Sequence, residues 1–405
     1  MEKRGGNMKL NKKHTLITIL CLVGVGIIIF LMLPKENQLV LNGESKQTIQ
    51  LNSTYQELGT NMKDVQVEGK VDVHKEGTYT LTYIYGKQKI QRTIQVVDPH
   101  RLVMNLNGSE ETYVKKGEPY IESGCHVIDK KEGNLTSKVQ IKGKVDTSKI
   151  GDYQIVYSIK NKDGLETSKT RKVHVVDSSN FLGNTAGIPV LMYHYVYTGN
   201  DIPKKLNVNY IKNTDLEAQL QYLKKENYYF PSYQELQAYV KGEISLPQKS
   251  VVLTFDDGQK GFLKYGIPLL EKYKVPATSF VIGSKDGDKK IKEYASEYVT
   301  FQSHSYNMHR AGGNIGHGGI ISAMTRQQIV DDLKKAQTIV QNTQAFAYPY
   351  GDVTDDAKKA VEEANILCAF TTQYGKVKKG MDCTALPRVR VSGGNSLKAY
   401  IASIE

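Results

Sequence analysis

Residues 250–259 read SVVLTFDDGQ, and no other stretch constrains this chain as strongly. The apolar run 251–255 has the length and composition of a buried strand, and Asp256, Asp257 and Gly258 cut it off. Two adjacent carboxylates therefore stand at a strand's C-terminal end, which is where α/β folds place their chemistry. Asp-Gly after a strand is also ordinary turn punctuation, so the pair needs a second motif before it points to a site. Adjacent side chains of a regular strand face opposite ways. Both carboxylates reach one site only if the strand ends here, which Gly258 permits.

The second motif is residues 299–309, VTFQSHSYNMH, where another strand-like run delivers His304 and then His309. Two neutral imidazoles and one carboxylate are a usual set for Zn²⁺ or a related divalent ion, with positions left open for water and substrate. The other carboxylate is then free to act as a base. A separation of five residues does not place both histidines on one helix face, so the segment must curl around the ion.

TFDDG, HSYNMH and AYPYG at residues 347–351 together resemble the motifs of the polysaccharide deacetylase family (carbohydrate esterase family 4, NodB-homology domain). The resemblance covers residues 187–405. The wide histidine spacing, with IPVLMYHYV at residues 188–196, resembles the branch that includes poly-N-acetylglucosamine deacetylases. It implies a metal-dependent hydrolase that removes N-acetyl groups from N-acetylglucosamine residues of a cell-wall or extracellular polysaccharide, either peptidoglycan or poly-N-acetylglucosamine. By the family's motifs, Asp257, His304 and His309 hold the metal, Zn first and Co or Ni as alternatives. Asp256 is the base, and Tyr350, with Tyr348 and Pro349, belongs to the oxyanion and substrate-binding segment.

Three departures from the family pattern matter. The Leu-x-x-His that supplies a general acid near the C-terminus is absent, since no histidine follows His317. His194, in LMYH, has that form at the domain's N-terminal edge, as if circularly shifted, and is assigned as the acid. Ala347 stands where the third motif usually begins with an arginine that orients the base, and the chain has no tryptophan, so Tyr or Phe must line a sugar groove. The loop AGGNIGHGGIIS, residues 311–322, offers His317 as a further candidate.

The 405 residues allow two or three domains, and a formal charge of +12 with pI near 9.1 favours acidic surroundings. An anionic cell wall or membrane surface suits this better than nucleic acid, for which no recognition module is present. Residues 15–33 carry no charged side chain and are long enough to span a bilayer, and Lys3, Arg4, Lys9, Lys12 and Lys13 precede them. The pattern predicts a cytoplasmic segment 1–14, a single-pass transmembrane helix 15–33 and extracellular domains beyond. A cleaved signal peptide is the rival, but FLMLPKENQ lacks a small-x-small cleavage site, and Cys21 lacks a lipoprotein context. Cys368 and Cys383 could pair in an oxidising compartment.

Residues 39–177 repeat. Leu41-Asn42-Gly43 returns as Leu106-Asn107-Gly108, and Gly69-Lys70-Val71-Asp72 as Gly143-Lys144-Val145-Asp146. Gly77-Thr78-Tyr79 returns as Gly151-Asp152-Tyr153, and Val96-Val97-Asp98 as Val175-Val176-Asp177. Four anchors in one order mean a duplication. Alternating strands such as 79–83 and 153–157 fit small sandwiches, and the pair resembles immunoglobulin-like modules of Gram-positive surface proteins. These modules read as a stalk or as a glycan-binding or adhesive unit, with His74, His100, His126 and His174 on the surface. The predicted fold is multidomain: a transmembrane helix, two all-β immunoglobulin-like sandwiches (residues 39–98 and 104–177), a linker 178–187, and an α/β distorted (β/α) barrel over residues 188–405. Capping-box patterns at 214–217 and 232–235 open two helices before the SVVLTF strand. Two other classes compete with a deacetylase: a catalytically weak or inactive cell-wall-binding protein, left open by the missing motif arginine, and a two-His-one-carboxylate iron oxygenase, against which the adjacent Asp-Asp counts.

Overall fold

The computed structural model describes residues 38–405 apart from Asn180 and Thr343. The expected segments 1–14 and 15–33, with Cys21, lie outside the described residues. Among the described residues no helix is long and apolar enough to cross a membrane. The chain divides into two compact units between Pro99 and His100.

In the first unit β1 (Lys46–Gln50), β2 (Gln66–Glu68), β3 (Gly77–Tyr85) and β4 (Gln88–Val97) form one sheet in the order β1-β4-β3-β2. Alternation along β3 sends Leu81 and Tyr83 inward to meet Ile94. The layer facing the sheet is irregular chain carrying Tyr55, Met62 and Val65, with an isolated bridge between Leu41 and Thr60. A second sheet was expected here. Residues 51–64, LNSTYQELGTNMKD, place turn and polar residues too often to sustain one.

The second repeat does form two sheets. β6 (Glu111–Lys115), β9 (Gln140–Lys142), β10 (Gly151–Lys160) and β11 (Glu166–Val176) run in the order β6-β11-β10-β9, and β5 (Leu102–Leu106), β7 (Cys125–Asp129) and β8 (Gly133–Asn134) make the other. Val127, Tyr157 and Val173 meet in the shared core. His126 is buried rather than on the surface, its Nδ1 3.2 Å from Thr136 Oγ1, and burial lowers its pKa to about 4.

Each repeat is built around a buried arginine. Arg92 pairs with Glu57 at 2.8 Å and donates to the carbonyls of Asn42 and Gly59, while Tyr83 donates to Glu57. In the second copy Arg171 donates to the carbonyls of Asn107, Ser109 and Gly124 and to the Tyr157 hydroxyl, and Tyr157 donates to Glu122. A guanidinium without these partners would be a buried charge left unpaired, so the whole set must be duplicated with the fold. The glycine anchors have the same logic. A Cβ on Gly69 would stand 2.3 Å from Thr80 O, and one on Gly143 2.2 Å from Gln154 O, both at positive φ.

The remaining chain closes a barrel of seven parallel strands: β12 (Val190–Tyr193), β15 (Val252–Phe255), β16 (Ala277–Val281), β17 (Val299–Ser303), β18 (Ala345–Ala347), β19 (Cys368–Tyr374) and β20 (Leu386–Arg390). β12, β15, β16 and β18 are buried along their whole length, as parallel strands covered on both faces require. β12 pairs with β20 to close the ring, a single residue pair joins β17 to β18, and the β19–β20 register shifts between Phe370 and Tyr374. A two-stranded ribbon, β13 (Tyr195–Tyr197) with β14 (Tyr210–Lys212), follows β12.

Around the barrel lie α1 (Asn213–Lys225), α2 (Tyr233–Val240), α3 (Ile267–Tyr273), α4 (Gly287–Glu293), α5 (Arg326–Val340), α6 (Asp355–Glu363) and α7 (Leu397–Ile404). The expected capping box forms at Ser232/Glu235. The one expected at 214–217 does not, because α1 starts at Asn213 with Lys212 as an N-cap that makes no side-chain bond. A π-helical turn, Phe262–Gly266, leads into α3. Cys125, Cys368 and Cys383 are free thiols.

The second repeat is docked on the barrel. Ser109 N donates to Phe230 O at 2.8 Å and Phe230 N to Ser109 Oγ at 2.9 Å, while Ser123 Oγ lies 2.7 Å from Ser232 Oγ. The Glu118 carboxylate accepts from Ser245 N and Oγ, and Lys169 pairs with Glu297 at 3.0 Å. Residues 230 and 297 precede β15 and β17, so the repeat covers the N-terminal ends of the strands and leaves the C-terminal ends free.

Candidate active site

The C-terminal ends of the barrel strands enclose a cleft of about 240 Å³. Asp256 still donates its backbone N–H to Tyr193 O at 3.0 Å, so the chain is in register with β12 up to that residue. Asp257 then takes φ 72°, a left-handed conformation uncommon outside glycine, which turns both adjacent carboxylates to one cleft. Gly258 follows at φ 55°, where a Cβ would lie 2.7 Å from Val281 Cγ1. Ser305 (φ 72°) and Tyr350 (φ 63°) are left-handed too, so three strained non-glycine residues gather at this rim.

Ser305 turns the chain immediately after His304. The Asp332 carboxylate accepts from Tyr306 N (2.7 Å) and Asn307 N (2.9 Å), and Ser305 Oγ accepts from Met308 N (3.0 Å). These bonds curl the loop that returns His309. His304 Nδ1 donates to Ala347 O at 2.7 Å, which leaves its Nε2 lone pair directed at Asp257 Oδ1, 3.4 Å away. His309 Nε2 lies 3.1 Å from the same oxygen, and its ring stacks on Tyr350 at 5.0 Å. The three ligand atoms fall within 4.8 Å of one another.

Asp257 Oδ2 accepts from the Tyr195 hydroxyl at 2.7 Å, but Oδ1 is buried with no hydrogen-bond donor. A buried carboxylate oxygen without a donor is costly, and His304, whose proton sits on Nδ1, turns a lone pair toward it from Nε2. The set therefore fits a divalent cation of the kind bound by nitrogen and oxygen ligands.

Asp256 has a different environment. Arg388 Nη1 and Nη2 donate to its two oxygens at 2.8 Å each, with both side chains buried, and Arg388 Nε donates to Thr371 O at 2.9 Å. Burial alone would raise the Asp256 carboxyl, and the guanidinium more than reverses this, holding it below its ordinary value. His194 Nε2 stands 4.0 Å from Asp256 Oδ2, and burial lowers its pKa against the upward pull of Asp256 and Asp257.

Asp256, Asp257, His194, His304, His309 and Tyr350 thus all line one cleft. Tyr348 borders it too, but its hydroxyl points into the core and donates to Thr384 O at 2.8 Å, and Pro349 is buried. His317 reaches the rim while 69% exposed, and Asp352 fixes its loop by accepting from His317 N and Gly319 N. Sequence reasoning missed Arg388, which supplies from β20 the cation that Ala347 cannot. It also missed Tyr195, Asn209, Thr372 and Arg390 in the lining.

Residues 243–369 match the family model described as polysaccharide deacetylase, and residues 39–96 and 104–175 each match that of a bacterial surface protein Ig-like domain. The chain carries a polysaccharide deacetylase domain behind two bacterial Ig-like domains. YxkH of Bacillus subtilis (strain 168), provisionally named a polysaccharide deacetylase, is 29% identical over 229 residues, 54% of this chain and 77% of that protein. The poly-beta-1,6-N-acetyl-D-glucosamine N-deacetylase of Staphylococcus aureus (strain MRSA252) is 25% identical over 236 residues, 54% of this chain and 77% of its own. Among solved structures, the Streptococcus pyogenes deacetylase PplD is 26% identical with a TM-score of 0.47, covering 54% of this chain and 99% of that one. His194 and Arg388 both fall outside the matched span 243–369 of this deacetylase, so the family model alone does not contain its whole cleft.

Proposed function

We infer that this deacetylase hydrolyses the N-acetyl groups of N-acetylglucosamine residues in a cell-wall or extracellular polysaccharide and depends on a divalent metal. The observation that carries the reading is the division of labour between adjacent carboxylates: Asp256 is neutralised by Arg388, whereas Asp257 faces two imidazoles with an unpartnered oxygen. Asp257, His304 and His309 would hold the ion, with Zn²⁺ the first candidate. Bound there, such an ion polarises the acetamide carbonyl and makes water a better nucleophile at neutral pH.

Asp256, kept ionised and oriented by Arg388, takes the proton of the attacking water. The backbone N–H of Tyr350 is assigned to the oxyanion. His194 gives a proton to the departing nitrogen, since an amine leaves poorly until protonated, and the C–N bond breaks to yield acetate and a free amine. The S. aureus relative named for poly-beta-1,6-N-acetyl-D-glucosamine supports a polymer of N-acetylglucosamine as substrate. The uncharged run 15–33 behind five basic residues supports a membrane-anchored enzyme facing the cell exterior, beside an anionic wall.

The test is acetate release by the purified full chain from N-acetylglucosamine oligomers and from peptidoglycan, with Zn²⁺, Co²⁺ or Ni²⁺, beside Asp257→Ala and His194→Ala. Release abolished by Asp257→Ala and sharply reduced by His194→Ala is expected. Undiminished release from Asp257→Ala would sink the metal assignment, and loss confined to that variant would remove His194 as the acid.

A further inference from the structure

Arg390 ends β20 at the lip of the cleft, two residues beyond Arg388, and has no part in the chemistry above. Whereas Arg388 is buried on Asp256, Arg390 is exposed, and its Nη1 donates to the neutral Asn209 Oδ1 at 2.6 Å. Among the described residues no carboxylate lies within 4.0 Å of it. Neither acidic residue lining the cleft pairs with it: Asp256 is bound by Arg388, and Asp257 accepts from the Tyr195 hydroxyl and turns its other oxygen to the two imidazoles. The mouth thus presents a guanidinium that no carboxylate pairs.

That guanidinium is also held in place. Asn209 N donates to Asn207 Oδ1 at 2.9 Å, and Asn209 O accepts from the backbone of Tyr195, the residue whose hydroxyl binds Asp257. The loop that positions Arg390 is therefore tied to the reacting centre. A planar fork of N–H donors matches the paired oxygens of a carboxylate or phosphate, whereas the hydroxyls of an uncharged sugar polymer offer no counter-charge.

We propose that Arg390 is a specificity residue that favours glycans carrying an acidic substituent, a carboxylate or a phosphate, next to the N-acetyl group that is removed. This rests on the deacetylase reading of the cleft and selects within it, toward chains such as peptidoglycan, whose lactyl ethers are carboxylates, over uncharged poly-N-acetylglucosamine. The step is recognition alone, and the hydrolysis is the one already written.

The test compares kcat/KM for acetate release by the full chain on four probes. These are neutral N-acetylglucosamine oligomers, oligomers alternating N-acetylglucosamine with N-acetylmuramic acid, the same alternating oligomers with their carboxylates amidated, and phosphorylated N-acetylglucosamine oligomers. One charge-assisted contact predicts that the carboxylate form is preferred over its amidated twin by about tenfold at low salt. Arg390→Gln brings this ratio close to one, Arg390→Lys keeps part of it, and Asn209→Ala lowers it by a smaller factor. A preference extending to the phosphorylated oligomers assigns the site to oxyanions in general, and one limited to the carboxylate assigns it to the lactyl group. A wild-type ratio near one, or a ratio that Arg390→Gln leaves intact, overturns the proposal while deacetylation stands. Absence of acetate release from every probe overturns the deacetylase reading and this inference with it.

Discussion

Replacing Arg388 with methionine tests the architecture of the proposed base most directly. The side chain is 0% exposed and Asp256 is 2% exposed, and the two share a bidentate contact of 2.8 Å per bond. Methionine fills much of the volume but leaves the carboxylate buried without a cation. Removing one partner of such a pair costs about 3–5 kcal/mol. At roughly 2–4 °C per kcal/mol for a unit of this size, the melting temperature falls by roughly 6–20 °C. Deacetylation falls as well, by the roughly 10²–10⁴-fold that a well-placed general base contributes. The two effects separate in Arg388→Met/Asp256→Asn, which removes both charges. Most of the stability returns, because replacing both members of a buried pair is far less costly than orphaning one, but activity stays low. Calorimetry and acetate release on the three proteins decide the matter. A double variant as unstable as Arg388→Met, or an Arg388→Met enzyme with wild-type kcat, would refute the reasoning.

Three further outcomes are expected. Gly108 sits at φ +77° with its Cβ position 2.7 Å from Ser232 N and 2.9 Å from Phe230 O, whereas Gly117, at φ +87°, has nothing within 4 Å. Gly108→Val should therefore lower the melting temperature more than Gly117→Val and speed proteolysis across residues 178–187. Equal effects would mean that the contact with the barrel does not matter. In the first unit, burial raises the Glu57 carboxyl but Tyr83, Tyr55, Gly59 and Arg92 together hold it below its ordinary value. Its contribution to stability is thus full above the unfolded value of about 4.3 and is lost as pH falls through the folded one, and Tyr83→Phe should flatten that acid limb in a pH series of thermal melts. Zn²⁺ at a hundred times its dissociation constant should stabilise the protein by about 2.7 kcal/mol, and His309→Ala should abolish the shift.

The parts of this molecule legible in its sequence are those in which cause and effect lie close together along the chain. The strand ending at Asp256 and Asp257, the turn after His304 and the glycines at 69 and 143 are local events, and each left a local signature. Arg388 was illegible for the opposite reason: it reaches Asp256 from 132 residues away, and only closure of the ring between β12 and β20 brings the two together. His126 looked like a surface residue because alternation in a short strand does not reveal that both faces of β7 are covered.

The repeat anchor Leu-Asn-Gly shows how one signature can serve two ends. In the first copy a Cβ on Gly43 would meet only the flexible end of Leu58, at 2.8 Å, whereas in the second the same position meets the backbone of the barrel at Ser232 and Phe230. The duplication preserved the buried arginine and the turn, and the second copy put that turn to use as a docking surface. This placement has a consequence for catalysis. A module clamped over the N-terminal ends of the strands cannot crowd the cleft at their C-terminal ends, yet it shares the core residue Ile128 with the barrel. The second repeat therefore belongs to the deacetylase as a structural base. Loosening it should change activity through the stability of the barrel, with kcat and melting temperature falling together and KM for the glycan little altered.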